Sequence, residues 1–242
     1  CWKNNGHGSM NVDKAIKESC DVFFYEISKK IGIDRIAEVA RDFGLGKIYD
    51  IPLNNQKLGI VPSKKWKKEK LGESWYPGET LISAIGQGFV LANPLQLANM
   101  TSIIASEGKI IEPKIVNDGI KNEFKNIEKY KESIKIIKNS MFKVVNEIKG
   151  TAYKSRSDEI KFSGKTGTSQ VRRITVEERE SEDFRKKEIE WNKRDHALFV
   201  GYMPYDKPKF SISVVIEHGG SGASTAAPIA KQVFQFINKL DT

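Results

Sequence analysis

The sequence is poor in several residues and patterns that mark common protein classes. It has only two cysteines among 242 residues, Cys1 and Cys20, so one disulfide, two free thiols or shared metal ligation remain open. No apolar run approaches the roughly 20 residues of a membrane span. It also has no internal repeat and none of the standard nucleic-acid-binding signatures, which predicts that nucleic acid is not a partner.

The start of the sequence lacks two further features. No signal peptide opens the chain, and it begins at Cys1 without an initiator methionine. This beginning predicts a fragment or a processed product of a longer protein.

What is present is enough apolar material for a core and a moderate excess of positive charge. Hydrophobic residues make up 39% of the chain, and 40 basic residues against 31 acidic ones give a net charge of +9. The length fits one large domain or two small ones. The basic residues are spread along the chain, and the lysine-rich run 64–70 is predicted to be a solvated surface loop.

The first two thirds of the chain have helical periodicity. Apolar residues recur at spacings of three and four, which predicts amphipathic helices. Asn11 and Asn93 are the residue type that caps helix starts, and Pro94 suits the first helical turn. The predicted helices begin near Val12 and cover about 34–43, the residues after Asn93, and about 133–148.

From about residue 160 the apolar period changes to two, which predicts strands. The predicted strands are 160–171, 196–202 and 210–216, and a densely charged excursion at 172–195 leaves the sheet. A last helix, about 225–239, is predicted to turn four apolar residues toward the sheet: Ile229, Val233, Phe236 and Ile237. Helices first, then an antiparallel meander, then a closing helix predict the α+β class. We expect one domain over 1–242, mainly helical over 1–158, with the strands and last helix over 159–242.

The stretch 163–171 contains the residues best suited to chemistry. Its core is Ser163-Gly164-Lys165-Thr166-Gly167-Thr168. Lys165 supplies positive charge, two threonines supply hydroxyls, and the two glycines are predicted to let another molecule approach the backbone. This set suits an extended ligand that carries a carboxylate. The alternative is a glycine-bearing hairpin with a surface lysine.

A second motif, Ser19-Cys20-Asp21, indicates a function only in combination with the Lys-Thr-Gly strand. A serine hydroxyl and a carboxylate facing a Lys-Thr-Gly strand form a cleft that moves protons and holds a carboxylate. By itself the motif is explained as a helix cap. Lys-Thr-Gly is one of the three sequence signatures that mark penicillin-binding proteins and class A β-lactamases.

Cys1, His7 and Cys20 form a candidate metal site. Thiolates and imidazole suit tetrahedral zinc, which needs a fourth ligand. The alternatives are a disulfide between the two cysteines or a buried, inert Cys20. Because Cys20 lies between Ser19 and Asp21, a metal there would brace the cleft wall.

Together these motifs resemble the transpeptidase domain of class B penicillin-binding proteins. The similarity is greatest to the elongation branch, penicillin-binding protein 2, to which the Ser-x-Asp form also points. The matching segments are Cys1 through Tyr25, Ile85-Gly86-Gln87-Gly88 through Leu97, Gly150-Thr151-Ala152, the Lys165 strand, and Arg194 through Pro228. The resemblance implies a penicillin-binding, β-lactamase-like fold, with the N-terminal part of the domain outside this chain.

The resemblance also implies a role for each matched residue. Ser19 would relay protons, Asp21 would orient that network or bind the donor peptide, and Lys165 would supply positive potential. Thr166 and Thr168 would bind the terminal carboxylate of a stem peptide or of a β-lactam. Gly167 belongs to the same substrate-binding set, and the Thr168 N–H would form half of an oxyanion hole.

The chain departs from the family pattern at the nucleophile. The family carries a Ser-x-x-Lys motif upstream of Ser-x-Asp, and residues 1–18 contain none. Two such strings begin at Ser106 and Ser140, but both follow Ser19 and so have the wrong order. The acyl-accepting serine is therefore expected outside this chain, which alone would be inactive.

The resemblance implies an enzyme that crosslinks peptidoglycan stem peptides through an acyl-serine and that β-lactams inactivate. It requires no cofactor for the chemistry, although a structural zinc is compatible with it. The implied setting is the periplasmic face of the bacterial inner membrane, with the anchor outside this chain. A SEDS-family glycosyltransferase and the elongation complex are the implied partners. The alternatives are a β-lactam-acylated sensor or a carboxypeptidase or β-lactamase on the same fold.

Overall fold

The structure, a computed structural model, describes residues 1–3, 5–116, 124–172 and 189–241. The α-helices are α1 (Val12–Lys17), α2 (Asp21–Ile31), α3 (Ile33–Asp42), α4 (Lys64–Leu71), α5 (Pro77–Ser83), α6 (Pro94–Ala105), α7 (Lys131–Asn146) and α8 (Ala227–Asp241). The strands are β1 (Lys109–Ile110), β2 (Lys125–Asn126), β3 (Ser163–Ser169), β4 (His196–Met203) and β5 (Phe210–Ile216). Residues 173–188 of the charged excursion predicted above lie outside the described part of the chain.

Strands β3, β4 and β5 form an antiparallel sheet in that order, and β1 pairs with β2. In this register Lys165 lies opposite Val200, and Phe199 lies opposite Val214. Within the described residues β3 is thus an edge strand whose second edge carries no neighbouring strand. The predicted meander and the α+β class are confirmed.

Helix starts form where the sequence places capping residues. The Asn11 side chain accepts a hydrogen bond from the Lys14 N–H at 2.9 Å, and α1 begins at the next residue. Asn93 accepts from the Gln96 N–H at 2.9 Å, and the Gln96 side chain accepts from the Asn93 N–H at 3.4 Å. This reciprocal pair satisfies two backbone donors that a helix start leaves without partners.

The prediction of a surface loop over the lysine-rich run 64–70 is wrong. The run forms α4, with Ser63 as its cap. Lys67 is only 1% exposed, and its ammonium bonds to Glu79 at 2.5 Å and lies 3.3 Å from Glu73. Carboxylates from outside α4 therefore allow a lysine to lie in the interior, which local composition cannot reveal.

Two clusters of buried apolar side chains hold the sheet and the helices together. One joins α7, the sheet and α8, and its members Val144, Phe199 and Phe234 are each 0% exposed. The other joins α3, α6 and α7 around Ile103 and Ile134. Because α7 belongs to both clusters, it links the sheet to the earlier helices.

The buried face of α8 differs from the predicted one. Phe236, predicted to point inward, is 64% exposed, whereas Phe234 is fully buried. Of the four predicted residues, Ile237 packs against the core cluster of the described residues. The small Ala227 and Ala230 complete the buried face, so α8 approaches the sheet through residues that contribute little to an apolar pattern.

Replacing Phe234 with alanine is expected to lower the free energy of unfolding by about 3–5 kcal/mol, the cost of deleting a fully buried ring. The same change at Phe236 removes an exposed ring, and we expect an effect of about 0.5 kcal/mol or less. Urea unfolding of the two variants measures the difference. Equal losses would contradict the orientation of α8.

In the part of the chain that the structure describes, the helices lack the combination of length and apolar character needed to cross a lipid bilayer.

Candidate active site

Ser19 lies in a tight turn between α1 and α2. Its backbone has φ = 51°, a left-handed conformation that is uncommon for residues other than glycine. The Cys20 N–H donates to the Ala15 carbonyl at 2.9 Å, and Cys20 is 4% exposed. A strained conformation of this kind persists only where the surrounding structure holds it in place. Such conformations cluster at functional sites. Here the turn directs the Ser19 hydroxyl toward β3.

Lys165 extends from β3 to meet this turn. Its Nζ donates to Ser19 Oγ and, at 2.8 Å, to the Thr166 carbonyl. Burial of the ammonium lowers the pKa of Lys165 to about 8, while the negative charge of Asp21 acts to raise it. The structure therefore brings Ser19, Asp21 and Lys165 together, as the sequence predicts. A lysine with this pKa is charged at neutral pH and gives up its proton more easily than an ordinary lysine.

Asp21 is the first residue of α2 and is partly buried. A carboxylate in the first turn of a helix interacts favourably with the N-terminal end of the helix dipole. Cys20 separates it from Ser19, so both side chains belong to one wall of the site. This wall faces the ammonium of Lys165 on the opposite wall.

Thr166 contacts a residue for which the sequence indicated no role. Its hydroxyl oxygen lies 2.7 Å from that of Thr151, and either can be the donor. The Thr151 N–H donates at 3.2 Å to the carbonyl of Lys17, the last residue of α1. Thr151 thus contacts both walls of the site. Its segment, Gly150-Thr151-Ala152, matches the family pattern, but the sequence predicts no contact for it.

Thr168 lies further along β3 and is exposed. Its carbonyl accepts a hydrogen bond from Gln87 Nε2 at 2.9 Å, and Gln87 Oε1 accepts from the Gln170 N–H at 3.4 Å. The N–H and C=O of one strand residue point toward the same edge, so the Thr168 N–H also points to the open edge of β3. This is the orientation that an oxyanion donor needs.

A side chain would meet different neighbours at the two glycines of the motif. A Cβ at Gly164 would lie 2.1 Å from Phe199 Cζ and 2.6 Å from the Val200 carbonyl oxygen, so the chain itself fills this space. The prediction that Gly164 admits another molecule is therefore wrong. A Cβ at Gly167 would meet the Leu198 Cβ at 3.3 Å, a tight contact, and the Gly167 carbonyl lies against Gly222.

Cys1, His7 and Cys20 gather beside the Ser19 turn. Their ligand atoms all lie within 4.8 Å of one another, and Cys1 Sγ is 3.4 Å from His7 Nδ1. Both cysteines are free thiols, and His7 Nε2 is buried without a hydrogen-bond partner among the described residues. Trp2 donates to the Ser19 carbonyl at 3.0 Å and ties this cluster to the turn. Two thiolates and an imidazole at this spacing fit three of the four ligands of zinc.

Neither Ser-x-x-Lys string of the chain offers a nucleophile. Ser140 is 0% exposed, and its hydroxyl donates to the Asp13 carboxylate at 2.9 Å while Lys143 binds the same carboxylate at 2.7 Å. The Ser106 hydroxyl donates to the Ser102 carbonyl at 2.8 Å at the end of α6. The string at Ser140 links α1 to α7, and the string at Ser106 closes α6.

The comparisons with known proteins agree with this geometry. The model of the penicillin binding protein transpeptidase domain matches residues 1–235. The chain is 34% identical over 246 residues to the peptidoglycan D,D-transpeptidase MrdA of Haemophilus influenzae, covering 97% of this chain and 37% of that protein.

Solved structures are similar as well. PBP2 of Helicobacter pylori, in a complex with MreC, superposes with a TM-score of 0.86 at 34% identity, covering 99% of this chain and 42% of that one. A chain of a peptidoglycan synthase complex, described as coordinating polymerization and crosslinking, has a TM-score of 0.75 at 31% identity, covering 93% of this chain and 37% of that one. The present chain thus spans less than half the length of these relatives. With the family model matched over nearly all of its residues, the chain belongs to the penicillin-binding protein transpeptidase family.

Proposed function

We propose that these residues supply one part of the active site of a peptidoglycan D,D-transpeptidase. The observation that carries the proposal is the Lys165 ammonium bonded to the Ser19 hydroxyl beside an open strand edge. The substrate is a peptidoglycan stem peptide ending in D-Ala-D-Ala, which β-lactams mimic. The serine that accepts the acyl group lies in a Ser-x-x-Lys motif on a segment preceding residue 1, since the two strings within the chain are engaged elsewhere.

The reaction has two acyl-transfer steps. The serine hydroxyl attacks the carbonyl of the penultimate D-Ala, and the terminal D-Ala leaves as its amine takes up a proton. The amine of a second stem peptide then attacks the acyl-ester, forms the crosslink and releases the serine hydroxyl. Ser19, bonded to Lys165, relays the proton toward the leaving amine, and Asp21 orients this pair.

The open edge of β3 binds the ligand. The Thr168 N–H donates to the oxyanion that forms on the attacked carbonyl, where a fixed donor is worth about 2.7–4 kcal/mol of barrier. Lys165 and the hydroxyls of Thr166 and Thr168 bind the terminal carboxylate. Gly167 has no side chain, so nothing projects from the strand between Thr166 and Thr168. The contact with Thr151 sets the direction of the Thr166 hydroxyl before the ligand arrives.

Intact-mass spectrometry after incubation with a penicillin tests this function. We expect an adduct on the longer protein that includes a preceding Ser-x-x-Lys, and none on the 242-residue chain. An adduct on the shorter chain would place the nucleophile at Ser106 or Ser140. No adduct on either folded protein would overturn acyl transfer. Crosslinked rather than hydrolysed stem peptides as products distinguish a transpeptidase from a carboxypeptidase or β-lactamase.

The pKa of Lys165 predicts how acylation depends on pH. The lysine is charged below about pH 8 and neutral above it, so the second-order rate constant for acylation should fall as pH rises through about 8. In Lys165→Arg the side chain stays charged, because a guanidinium keeps its proton far above neutral pH. The fall near pH 8 should therefore disappear in this variant. The same midpoint in both proteins would assign the titration to another group.

We propose a structural zinc at Cys1, His7 and Cys20, with its fourth ligand on a preceding segment. The metal would hold the Ser19 turn in place and take no part in the acyl transfer. The support is the close approach of the three ligand atoms and the buried His7 Nε2 that lacks a partner among the described residues.

Removing this zinc with a chelator is expected to lower the Tm by about 5–15 °C, because a ligand at 100–1,000 times its Kd contributes about 3–4 kcal/mol. Cys20→Ser should lack the metal and should not respond to chelator. Elemental analysis measures the zinc content, and thermal unfolding measures the Tm. An unchanged Tm in a zinc-free wild-type protein would contradict the site.

The proposed setting is the periplasmic face of the bacterial inner membrane, with the anchor outside these residues. The proposed partners are a SEDS-family glycosyltransferase and the elongation complex. Support comes from the Helicobacter relative, which was solved with MreC, and from the similar chain in a peptidoglycan synthase complex.

A further inference from the structure

The side chain of Gln87 occupies part of the strand edge to which the proposed function assigns the ligand. Its carboxamide donates to the Thr168 carbonyl and accepts from the Gln170 N–H, two groups that point to the open edge of β3. A neighbouring strand would bind the same donor and acceptor through its backbone. Gln87 thus imitates one peptide group of a strand paired with β3.

The turn that carries Gln87 is firmly held, while its side chain reaches across to β3. Gly86 and Gly88 have φ values of 76° and 69°, which permit a tight turn. The Gln87 N–H donates to the Ile82 carbonyl at 3.0 Å, and the Gly86 N–H donates to the Ser83 carbonyl at 3.0 Å. Rotation of the Gln87 side chain alone can therefore release β3 without disturbing the turn.

The neighbouring carbonyl on this edge is engaged in a similar way. The Thr166 carbonyl accepts a hydrogen bond from Lys165 Nζ at 2.8 Å. Two side chains of the protein thus satisfy carbonyls that a sheet edge would otherwise offer to another chain. Proteins commonly protect exposed edges, because an unprotected edge pairs with other molecules.

An extended ligand that pairs with β3 needs the acceptor that Gln87 holds. Peptides that add to a sheet edge gain affinity from main-chain hydrogen bonds. The amide N–H of such a ligand would approach the Thr168 carbonyl in the plane of the sheet, where the Gln87 amide lies. The two donors then compete for one position.

We propose that the Gln87 carboxamide is a displaceable cap on the ligand-binding edge of β3, which an extended ligand with an amide N–H must replace at Thr168. This inference rests on the proposed function. In this role Gln87 lowers the affinity of the protein for the ligand and takes no part in the acyl-transfer chemistry.

The test uses the longer protein with its acyl-accepting serine and a penicillin whose side chain carries an amide N–H. Rapid-mixing kinetics separate the dissociation constant of the reversible complex from the rate constant of acylation. In Gln87→Ala and in the similarly long Gln87→Met, we expect the dissociation constant to fall about 2- to 10-fold, the effect of one modest hydrogen bond. The acylation rate constant should stay unchanged.

Two controls make the result specific. A penicillin whose side-chain amide is N-methylated offers no N–H to Thr168, so its dissociation constant should not respond to either variant. Gln235→Ala changes a glutamine bonded to Glu159 on another part of the chain and should leave both constants at their wild-type values. Thermal unfolding verifies that each variant is folded.

Other outcomes would overturn the inference. A weaker complex or slower acylation in both folded variants would mean that Gln87 supports β3 and does not compete with the ligand. Unchanged constants would mean that the contact has no effect on binding. Wild-type protein that no penicillin acylates would remove the proposed function and this inference together, whereas normal wild-type acylation leaves the Gln87 variants as the test of the inference alone.

Discussion

Replacing Ser19 with alanine is expected to lower the rate of crosslinking by about 10²- to 10⁴-fold, the contribution typical of a positioned proton-transfer group. The hydroxyl that accepts from Lys165 disappears, so the path for the proton to the leaving amine is interrupted. The backbone turn is held mainly by contacts of its neighbours, including the bond from the Cys20 N–H to the Ala15 carbonyl. The variant should therefore fold normally and lose activity.

The measurement compares acylation by a penicillin with crosslinking of stem peptides, both on the longer protein. Ser74→Ala is the matched control, since Ser74 is exposed in the loop between α4 and α5. It should leave both rates unchanged. Crosslinking by Ser19→Ala within about threefold of wild type would exclude a proton relay through this hydroxyl, because that residual rate lies far above the expected loss.

Replacing Lys165 with methionine is expected to slow acylation by about 10²- to 10³-fold, the loss typical when one fixed electrostatic contact at a reacting centre is removed. Methionine keeps much of the length of the side chain but removes the charge that attracts the ligand carboxylate. Lys135→Met, which changes an exposed lysine paired with Glu132, is the matched control. Acylation of Lys165→Met at the wild-type rate would show that the ammonium is not required.

The same substitution should have the opposite effect on stability. The folded pKa of Lys165, about 8, lies below its ordinary value of 10.5, so folding disfavours its charged form. Between these two values the unfolded chain binds more protons, and wild-type stability should rise with pH. Lys165→Met should lack this rise and should be at least as stable as wild type near neutral pH. Lower stability together with lower activity would instead indicate that Lys165 acts mainly as a structural residue.

Several contacts hold the wall of the site that carries Ser19 in position. Asp13, in the first turn of α1, binds both Ser140 and Lys143 of α7. At the other end of α1, Lys17 lies 3.3 Å from Glu147, just beyond α7. The six-residue helix that leads to Ser19 is thus fastened at both ends. The string that resembles a catalytic Ser-x-x-Lys motif acts here as a structural clamp.

Local patterns predicted the elements that depend on local chemistry. Asn11 and Asn93 cap α1 and α6 because their side chains bond to backbone only three residues away. The alternation of apolar and polar residues in β5 predicted that strand within the sheet. The prediction of the buried face of α8 was wrong, because burial depends on what lies opposite each residue. Phe234 and Phe236 are chemically identical, and only the sheet beneath the helix distinguishes them.

The sequence by itself determined which chemical groups are available: the Lys-Thr-Gly strand, Ser19 with Asp21, and the three candidate zinc ligands. It also determined the α+β class and the family resemblance, because these follow from motif order and local periodicity. Tertiary structure decided what those groups can do. It lowered the pKa of Lys165 by burial, filled the space beside Gly164 with Phe199, and brought Thr151 and Gln87 to β3. These effects arise between residues far apart in the chain, so only the folded arrangement reveals them.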